Sequence, residues 1–157
     1  MLRKEVNDLL TQTDKGMPMG ELFRQYWIPA LLDHELPEND CPPVRVKLLG
    51  EAMIAFRDSD GRYGLMEEFC AHRRVSLWFG RNEEGGLRCP YHGWKYDVTG
   101  QCTEIPSEDE DSEYFKSIKL QAYPLIKVGN VLWTHMGDAE FRPPEPEWEF
   151  ATVSAEQ

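Results

Sequence analysis

The sequence predicts a mainly β, antiparallel domain that is preceded by a short helical lead-in. Strand-like alternation begins at Val44 and recurs as far as His135, and turns that contain glycine separate the runs. Before Val44, apolar residues recur at helical spacing instead. The chain has 157 residues, of which 41% are hydrophobic, so one domain of ordinary size can bury a core without disulfides.

The lead-in is predicted to contain two short helices. Residues 3–11 carry Val6, Leu9 and Leu10 at helical spacing, and residues 19–27 carry a second apolar face between two prolines. Residues 37–43 are rich in Pro, Asn and Asp, which indicates a loop before the first strand.

Seven strands are predicted after this loop, at residues 44–49, 52–56, 63–66, 93–97, 101–105, 125–128 and 131–135. Residues 58–61 (Asp-Ser-Asp-Gly) and 129–130 (Gly-Asn) are typical hairpin turns. Many short strands with regular turns favour antiparallel pairing over a parallel α/β fold.

The organisation predicted from these patterns has three parts. Residues 1–40 are the helical lead-in packed on the domain, residues 41–140 are the β domain, and residues 141–157 are a Pro-rich linker. Residues 104–113 hold six acids and are predicted to form a solvated surface loop. The acids are Glu104, Glu108, Asp109, Glu110, Asp111 and Glu113.

Charge and hydropathy exclude several classes of partner. Lys and Arg number 17 against 28 Asp and Glu, and the formal net charge of −11 argues against binding to nucleic acid or an anionic membrane. No apolar run approaches the roughly 20 residues of a membrane span. The N-terminus turns acidic at once and lacks the apolar core of a signal peptide, so a cytoplasmic location is expected.

Two short arms, Cys70-Ala71-His72 and Cys89-Pro90-Tyr91-His92, are separated by sixteen residues and carry the strongest functional signal. Each arm contributes one thiolate and one imidazole. Structural zinc sites usually take a Cys pair from one arm and a His pair from the other. A Rieske [2Fe–2S] cluster takes Cys₂ on one iron and His₂ on the other, which matches this pattern. Cys70, His72, Cys89 and His92 are therefore the predicted ligands, with zinc and an unliganded core as the alternatives.

The neighbouring residues predict a low reduction potential. High-potential respiratory Rieske proteins resemble this pattern but add a disulfide between the arms and a serine after His-Gly. Here Val75, Tyr91 and Trp94 occupy those places, so we expect a potential near the low end of the range, roughly −150 mV. The residues predicted to surround the ligands are Arg73, Gly93, Trp94, Lys95 and Tyr96.

The segments around both arms resemble the oxygenase components of Rieske non-haem iron oxygenases, in particular the phthalate-dioxygenase-like aromatic oxygenases. They are residues 24–30, 44–50, 70–74, 80–84, 89–97 and 131–134. One departure is Ala71, where the family usually has proline. The resemblance implies an antiparallel Rieske domain like the respiratory iron–sulfur protein. It also implies a mononuclear iron in a separate C-terminal domain, held by two histidines and a carboxylate. His34 and His135 lack the spacing for that site.

This resemblance implies the Rieske electron-transfer part of an aromatic ring-hydroxylating or demethylating oxygenase. Its implied partners are a flavin/iron–sulfur reductase or a ferredoxin as electron donor, and a catalytic domain within a homotrimer. On this interpretation the chain transfers electrons but hydroxylates nothing by itself, and the linker leads towards the catalytic domain. The alternatives are a stand-alone Rieske-type ferredoxin and a zinc-binding structural module.

Cations cluster near the predicted ligands. The window of residues 70–96 has five cations against two carboxylates, a charge of +3 that leaves −14 for the rest of the chain. The five, which could steer an acidic redox partner, are Arg73, Arg74, Arg81, Arg88 and Lys95.

Other residues near the arms have structural interpretations. Trp78, Phe79 and Trp94 are expected to shield the cluster by packing. Cys41 and Cys102 are expected to be free, half-buried thiols, and Asp97 to begin a turn.

Overall fold

The computed structural model describes residues 2–109 and 111–152. Glu110 of the predicted acidic loop and residues 153–157 of the predicted linker lie outside this range. Within it, the fold is mainly β and antiparallel, with two short α-helices in the lead-in, as predicted, and its strands form three sheets. None of the described helices is long and apolar enough to cross a membrane.

The lead-in contains α1 (Lys4–Thr11) and α2 (Pro18–Phe23). The predicted extension of the second helix to residue 27 is wrong, because Trp27–Leu32 forms strand β1. Pro29 cannot continue a helix, and β1 is an edge strand, where a residue without an N–H is tolerated. The pairing of β1 shifts register between Pro29 and Leu31.

The first sheet has the order β1-β11-β10. Strands β10 (Leu125–Val128) and β11 (Val131–His135) form a hairpin in which Val128 pairs with Val131 across Gly129-Asn130, as predicted. The second sheet has the order β2-β3-β4-β9, with β2 (Val44–Leu48), β3 (Glu51–Arg57), β4 (Tyr63–Glu67) and β9 (Ala122–Tyr123).

The third sheet, in the order β5-β6-β7-β8, is inserted between β4 and β9. Its strands are β5 (Arg81–Glu83), β6 (Gly86–Arg88), β7 (Lys95–Tyr96) and β8 (Cys102–Glu104). The sequence did not predict β5 and β6, which are short and carry many charges. Strand β7 is shorter than predicted because residues 93 and 94 belong to a ligand loop. One-turn 3₁₀ helices occur at Asp33–Glu35, Leu77–Phe79, Tyr114–Ser117, Ala139–Phe141 and Glu149–Thr152.

Two hydrophobic clusters form the core. One lies under the first two sheets and includes Leu36, Met53 and Leu132. The other lies under the inserted sheet and includes Leu77, Leu87 and Tyr96 together with Cys70 and Cys89. The thiols of both predicted arms are therefore part of the second core.

Arg24 fastens the lead-in to the second sheet. Its guanidinium donates to the backbone oxygens of Thr13, Gly20 and Leu49 and lies 2.6 Å from Glu51 Oε1. Tyr123 donates to the other oxygen of Glu51 at 2.8 Å. This buried network fixes the helices on the domain, since a charge is buried at low cost only when it is paired.

The Pro-rich segment lies against the first sheet over residues 143–148. The indole N–H of Trp27 donates to the carbonyls of Pro143 and Pro144, at 3.1 and 3.0 Å. The rings of Trp133 and Trp148 lie 4.2 Å apart. The segment predicted as a linker is therefore seated on the domain in this range.

Candidate metal centre

The two predicted arms are loops with the same backbone hydrogen bonds. In the first loop, residues 70–75, the Cys70 N–H donates to the Val75 carbonyl and the Arg74 N–H to the Cys70 carbonyl, both at 3.0 Å. In the second loop, residues 89–94, the Cys89 N–H donates to the Trp94 carbonyl at 2.9 Å and the Gly93 N–H to the Cys89 carbonyl at 3.1 Å. The same turn thus presents one cysteine and one histidine twice.

Each turn needs a left-handed residue at its fifth position. Gly93 adopts φ 77° and a Cβ there would lie 2.8 Å from Pro106 Cγ, so both conformation and space require glycine. Arg74 adopts φ 57° in the first loop, which costs a non-glycine residue about 1–2 kcal/mol. Its guanidinium lies 2.9 Å from Glu67 Oε1 and 5.2 Å from the Phe69 ring centre, and these contacts offset part of that strain.

The four candidate donors lie as two pairs. Cys70 and Cys89 are 1% and 3% exposed, whereas His72 and His92 are at the surface with ring centres 4.6 Å apart. Among the described residues, no group of three or more His, Cys, Asp or Glu side chains converges on a single metal ion. A tetrahedral zinc needs four ligands around one point. Two sulfurs and two imidazoles arranged as pairs fit a dinuclear cluster better, because each pair can serve its own iron.

The pKa shifts of the donors differ between the buried thiols and the surface imidazoles. Burial raises the pKa of the Cys89 thiol, and the neighbouring Cys70 raises it further, while the backbone N–H groups of Tyr91 and His92 lower it. Desolvation lowers the pKa of His92, as do the charges of His72 and Arg73. Metal ligation needs a thiolate and a neutral imidazole, so binding must release the thiol protons, whereas the imidazole is already favoured in its neutral form.

Tyr96 connects the third sheet to the first loop. Its hydroxyl lies 3.2 Å from Cys70 Sγ and accepts from the Ala71 N–H at 3.2 Å. Because the Tyr96 oxygen accepts from the Ala71 N–H, the Tyr96 hydroxyl can donate its own proton to the sulfur of a Cys70 thiolate. The sequence argument considered only a hydroxyl at position 94, and the structure supplies one from Tyr96 instead.

Aromatic rings cover the imidazoles. Trp94 stacks on His72 with ring centres 4.7 Å apart and an interplanar angle of 8°, and the Tyr91 ring centre lies 3.8 Å from that of His92. Trp94 is buried and shields this side, as expected. The same expectation is wrong for Trp78 and Phe79, which are 42% and 62% exposed.

The predicted collar of cations is mostly paired with carboxylates. Arg74 pairs with Glu67 and Arg81 with Glu83. Lys95 pairs with Glu84 and Glu104. The Arg88 side chain is only 9% exposed and contacts Glu83, Glu84 and Glu104, so it is not a surface charge. Arg73 is exposed and forms none of the ion pairs found among the described residues.

Sequence reasoning missed the group that holds the first loop. Glu68, two residues before Cys70, is buried and accepts from Ser76 Oγ and from Arg45 Nε at 2.7 Å. Arg45 also lies over the Trp78 ring, 4.4 Å from its centre. The sequence did contain a signal for this group: a carboxylate two residues before the Cys-x-His arm, and an arginine in the predicted strand 44–49. Glu104 ends strand β8 and pairs with Arg88 and Lys95, so the prediction that it belongs to a solvated loop is wrong.

The remaining candidate residues occupy structural positions. Cys41 and Cys102 are free but fully buried rather than half-buried, since both lie in the cores. Asp97 begins a turn as expected, accepting from the Thr99 N–H at 2.8 Å. His34 is exposed. His135 is 1% exposed, and neither of its ring nitrogens has a hydrogen-bond partner among the described residues.

A buried pair of thiols beneath an exposed pair of imidazoles, held on two matching turns, defines an iron–sulfur protein of the mixed Cys₂His₂ class. The chain belongs to the Rieske [2Fe–2S] domain family, whose sequence model matches residues 26–124. Its cofactor is accordingly the Rieske [2Fe–2S] cluster, and the donor set described above fits that group.

Several relatives of the chain are oxygenase subunits. The chain is 48% identical over 148 residues to the phthalate 4,5-dioxygenase oxygenase subunit of Pseudomonas putida, covering 92% of this chain and 34% of that protein. It is 42% identical over 152 residues to the 5,5'-dehydrodivanillate O-demethylase oxygenase subunit of Sphingobium sp. (strain NBRC 103272 / SYK-6), covering 95% and 35%. The crystal structure of apo dicamba monooxygenase superposes with a TM-score of 0.71 at 27% identity, covering 82% and 38%. The chain spans about a third of the length of these curated relatives.

Proposed function

We propose that Cys70, His72, Cys89 and His92 hold the Rieske cluster and that the chain is the electron-transfer part of an aromatic ring-hydroxylating or demethylating oxygenase. The observation that carries this proposal is the paired arrangement of donors, with the thiols buried in the core and the imidazoles at the surface. When bound, the cluster accepts and releases one electron at a time.

The side chains around the donors have three roles: they exclude water, orient an imidazole and leave an edge open to a partner. The core around Cys70 and Cys89 excludes water from the sulfurs, which strengthens the hydrogen bond that Tyr96 can donate there. Trp94 covers one face of His72 and fixes the orientation of that ring. His92 remains exposed, so a partner can approach its edge.

The wider oxygenase system is proposed from the relatives. Oxygenase subunits of a dioxygenase and of an O-demethylase share this region, so we place the chain between an electron donor and a mononuclear iron held outside residues 1–157. The donor is a flavin/iron–sulfur reductase or a ferredoxin, and the assembled oxygenase is a homotrimer. Cys41 and Cys102, the two cysteines outside the proposed ligand set, form no disulfide within the described residues, which supports a reducing, cytoplasmic compartment.

A partner would approach the rim of the exposed imidazoles. This rim combines Arg73 with exposed aromatic side chains of Phe79 and Tyr91. Aromatic and arginine side chains are enriched in protein interfaces. Arg74 and Arg81 are exposed and belong to the proposed docking surface, whereas Arg88 and Lys95 are engaged beneath the loop.

The ligand assignment is tested with matched variants of the purified chain. Cys89→Ser and His92→Ala should abolish the visible absorption of the cluster and lower iron and sulfide content, because each removes a ligand. Cys41→Ser and His34→Ala change the same residue types outside the site and should keep full content. A colourless wild-type protein that carries zinc, or a cluster retained in both ligand variants, would refute the assignment.

The role in electron transfer is tested by titration. The wild-type chain should be reduced by one electron at a potential near the low end of the Rieske range, roughly −150 mV, and a value above about +100 mV would contradict this expectation. The reductase that serves a related aromatic oxygenase should reduce the chain, but the mixture should form no product from an aromatic substrate. Product formation by this chain alone would contradict the proposal that the chain transfers electrons and does not itself oxidise the substrate.

A further inference from the structure

A group of ionic side chains lies at the base of the second ligand loop, where strands β6, β7 and β8 meet. Arg88 ends β6 and Lys95 begins β7, so they bracket residues 89–94 and face each other as backbone partners. Lys95 is in turn the partner of Glu104 on β8. Like charges directly opposite each other on a sheet are destabilising, so this pair of cations requires a carboxylate.

Glu104 supplies that carboxylate to both cations. Its two oxygens accept from the two terminal nitrogens of Arg88, at 2.8 and 2.9 Å, in the bidentate geometry that an arginine fork favours. Lys95 Nζ lies 3.1 Å from Glu104 Oε2. The side chains of Arg88 and Lys95 are only 9% and 12% exposed, whereas the Glu104 side chain is 41% exposed, so solvent screens the two cations less than it screens the carboxylate. Arg88 holds the pKa of Glu104 at about 2.

Arg88 also reaches into the loop itself. Its Nη1 donates to the Gly93 carbonyl at 3.1 Å. This carbonyl belongs to the residue that follows His92 and adopts the left-handed conformation. The guanidinium therefore fixes the peptide plane through which the loop turns after its histidine.

The charges at the base balance. Arg81, Arg88 and Lys95 face Glu83, Glu84 and Glu104 in one connected network, three cations against three carboxylates. Removal of one carboxylate leaves a net positive charge beneath the loop, and removal of one cation leaves a net negative charge.

We propose that Arg88 and Glu104 are positioning residues for the second ligand loop, and that their ion pair determines how firmly this loop retains the cluster and how readily the cluster is reduced. The proposal rests on the proposed function, since it assumes that Cys89 and His92 are ligands. It assigns to Glu104 a role that its place in an acidic stretch of sequence does not suggest.

The test compares Glu104→Gln with Glu108→Gln in the cluster-loaded chain. Glu108 is exposed, and within the described residues its carboxylate accepts from Ser112 Oγ, so this control removes the same charge without touching Arg88. Glu104→Gln should lose the cluster to an iron chelator about tenfold faster than wild type, because a charge-assisted bidentate pair is replaced by a neutral acceptor. The control should stay within about twofold of wild type on the same comparison.

The second readout is the equilibrium with a one-electron mediator dye. Glu104→Gln should shift this equilibrium several-fold towards the reduced cluster, where a tenfold shift corresponds to about 59 mV. A merely structural role would accelerate cluster loss without this shift. Equal behaviour of Glu104→Gln and Glu108→Gln in both measurements would overturn the proposal, while a wild-type chain that binds and reduces its cluster would leave the proposed function intact.

Lys95→Gln keeps the proposal testable where Glu104→Gln fails to fold. This variant preserves the fork between Arg88 and Glu104 and the contact with Gly93. Cluster loss should therefore remain within about threefold of wild type, and the mediator equilibrium should shift towards the oxidised cluster because a positive charge is removed. A shift towards the reduced cluster would overturn the proposal.

Discussion

Replacement of His135 by leucine should stabilise the domain and remove a pH-dependent loss of stability. His135 is 1% exposed, packs near the Trp27 ring at 5.9 Å between ring centres, and leaves both ring nitrogens without hydrogen-bond partners among the described residues. An unpaired buried polar group costs about 1–3 kcal/mol, and leucine has a similar volume without that group. We therefore expect a gain of about 1–2 kcal/mol, or about 2–8 °C in Tm for a domain of this size.

The pH dependence follows from the lowered pKa of His135, which arises from desolvation and then from the charge of Arg142. Because the folded state holds this imidazole neutral, the unfolded chain binds more protons once the pH falls below its ordinary value of about 6.5. Stability from this group is fully present above that pH and is lost as the pH falls towards the folded pKa. The leucine variant should lack this loss.

The assay is urea unfolding of the cluster-loaded chain between pH 5.5 and 8, followed by circular dichroism under anaerobic conditions. Thr134→Val is the matched control, since the Thr134 hydroxyl is also buried and has no hydrogen-bond partner within residues 2–109 and 111–152, but does not titrate. It should raise stability by a similar amount at every pH. A His135→Leu variant that is less stable at pH 7.5 and keeps the wild-type pH slope would refute the reasoning, because the imidazole would then be hydrogen-bonded.

Three further predictions concern the loops and the rim. Tyr96→Phe should lower the potential by tens of millivolts in a redox titration, since a hydrogen bond to the Cys70 sulfur favours the reduced, more negative cluster; an unchanged potential would mean that the hydroxyl does not donate to this sulfur. Gly93→Ala should abolish cluster retention, because its Cβ would lie 2.8 Å from Pro106 Cγ at a left-handed φ, and normal cluster content measured by absorbance would contradict the close approach. Arg73→Glu should slow reduction by an acidic donor and weaken its salt dependence in stopped-flow measurements, and an unchanged rate constant would remove Arg73 from the docking surface.

The sequence predicted the strands that carry their own local signal. Residues 44–48 and 63–66 alternate, and the turn at Gly129-Asn130 sets the register of its hairpin, so pairing partners close in sequence could be found without the fold. Strand β1 was not predicted, and its first residue, Trp27, was placed at the end of a helix, because only pairing with β11, about a hundred residues away, defines this strand. Strands β5 and β6 were missed because each has only three residues, too few to show an alternating pattern. These strands are defined by their backbone pairing with each other.

The candidate ligands followed from the sequence because their residue types and spacing are chemically selective. Cys-x-His and Cys-x-x-His restrict the metal chemistry before any coordinates are known. The surroundings of those ligands did not follow, because charge by itself does not tell which carboxylate meets which cation. Arg88 and Glu104 lie sixteen residues apart, and the alignment of β6, β7 and β8 brings them into a bidentate pair.

The sequence by itself determined the class of cofactor and the antiparallel character of the domain, since both depend on residue identity at short range. The tertiary structure alone decided what each buried polar group touches. It joined three of the five predicted cations into a balanced ionic network, placed the Tyr96 hydroxyl at Cys70, and left the His135 ring without a hydrogen-bond partner in the part of the chain that the structure describes. These outcomes depend on contacts between distant strands, where the low dielectric of the interior makes each pairing, or its absence, count for more than it would at the surface.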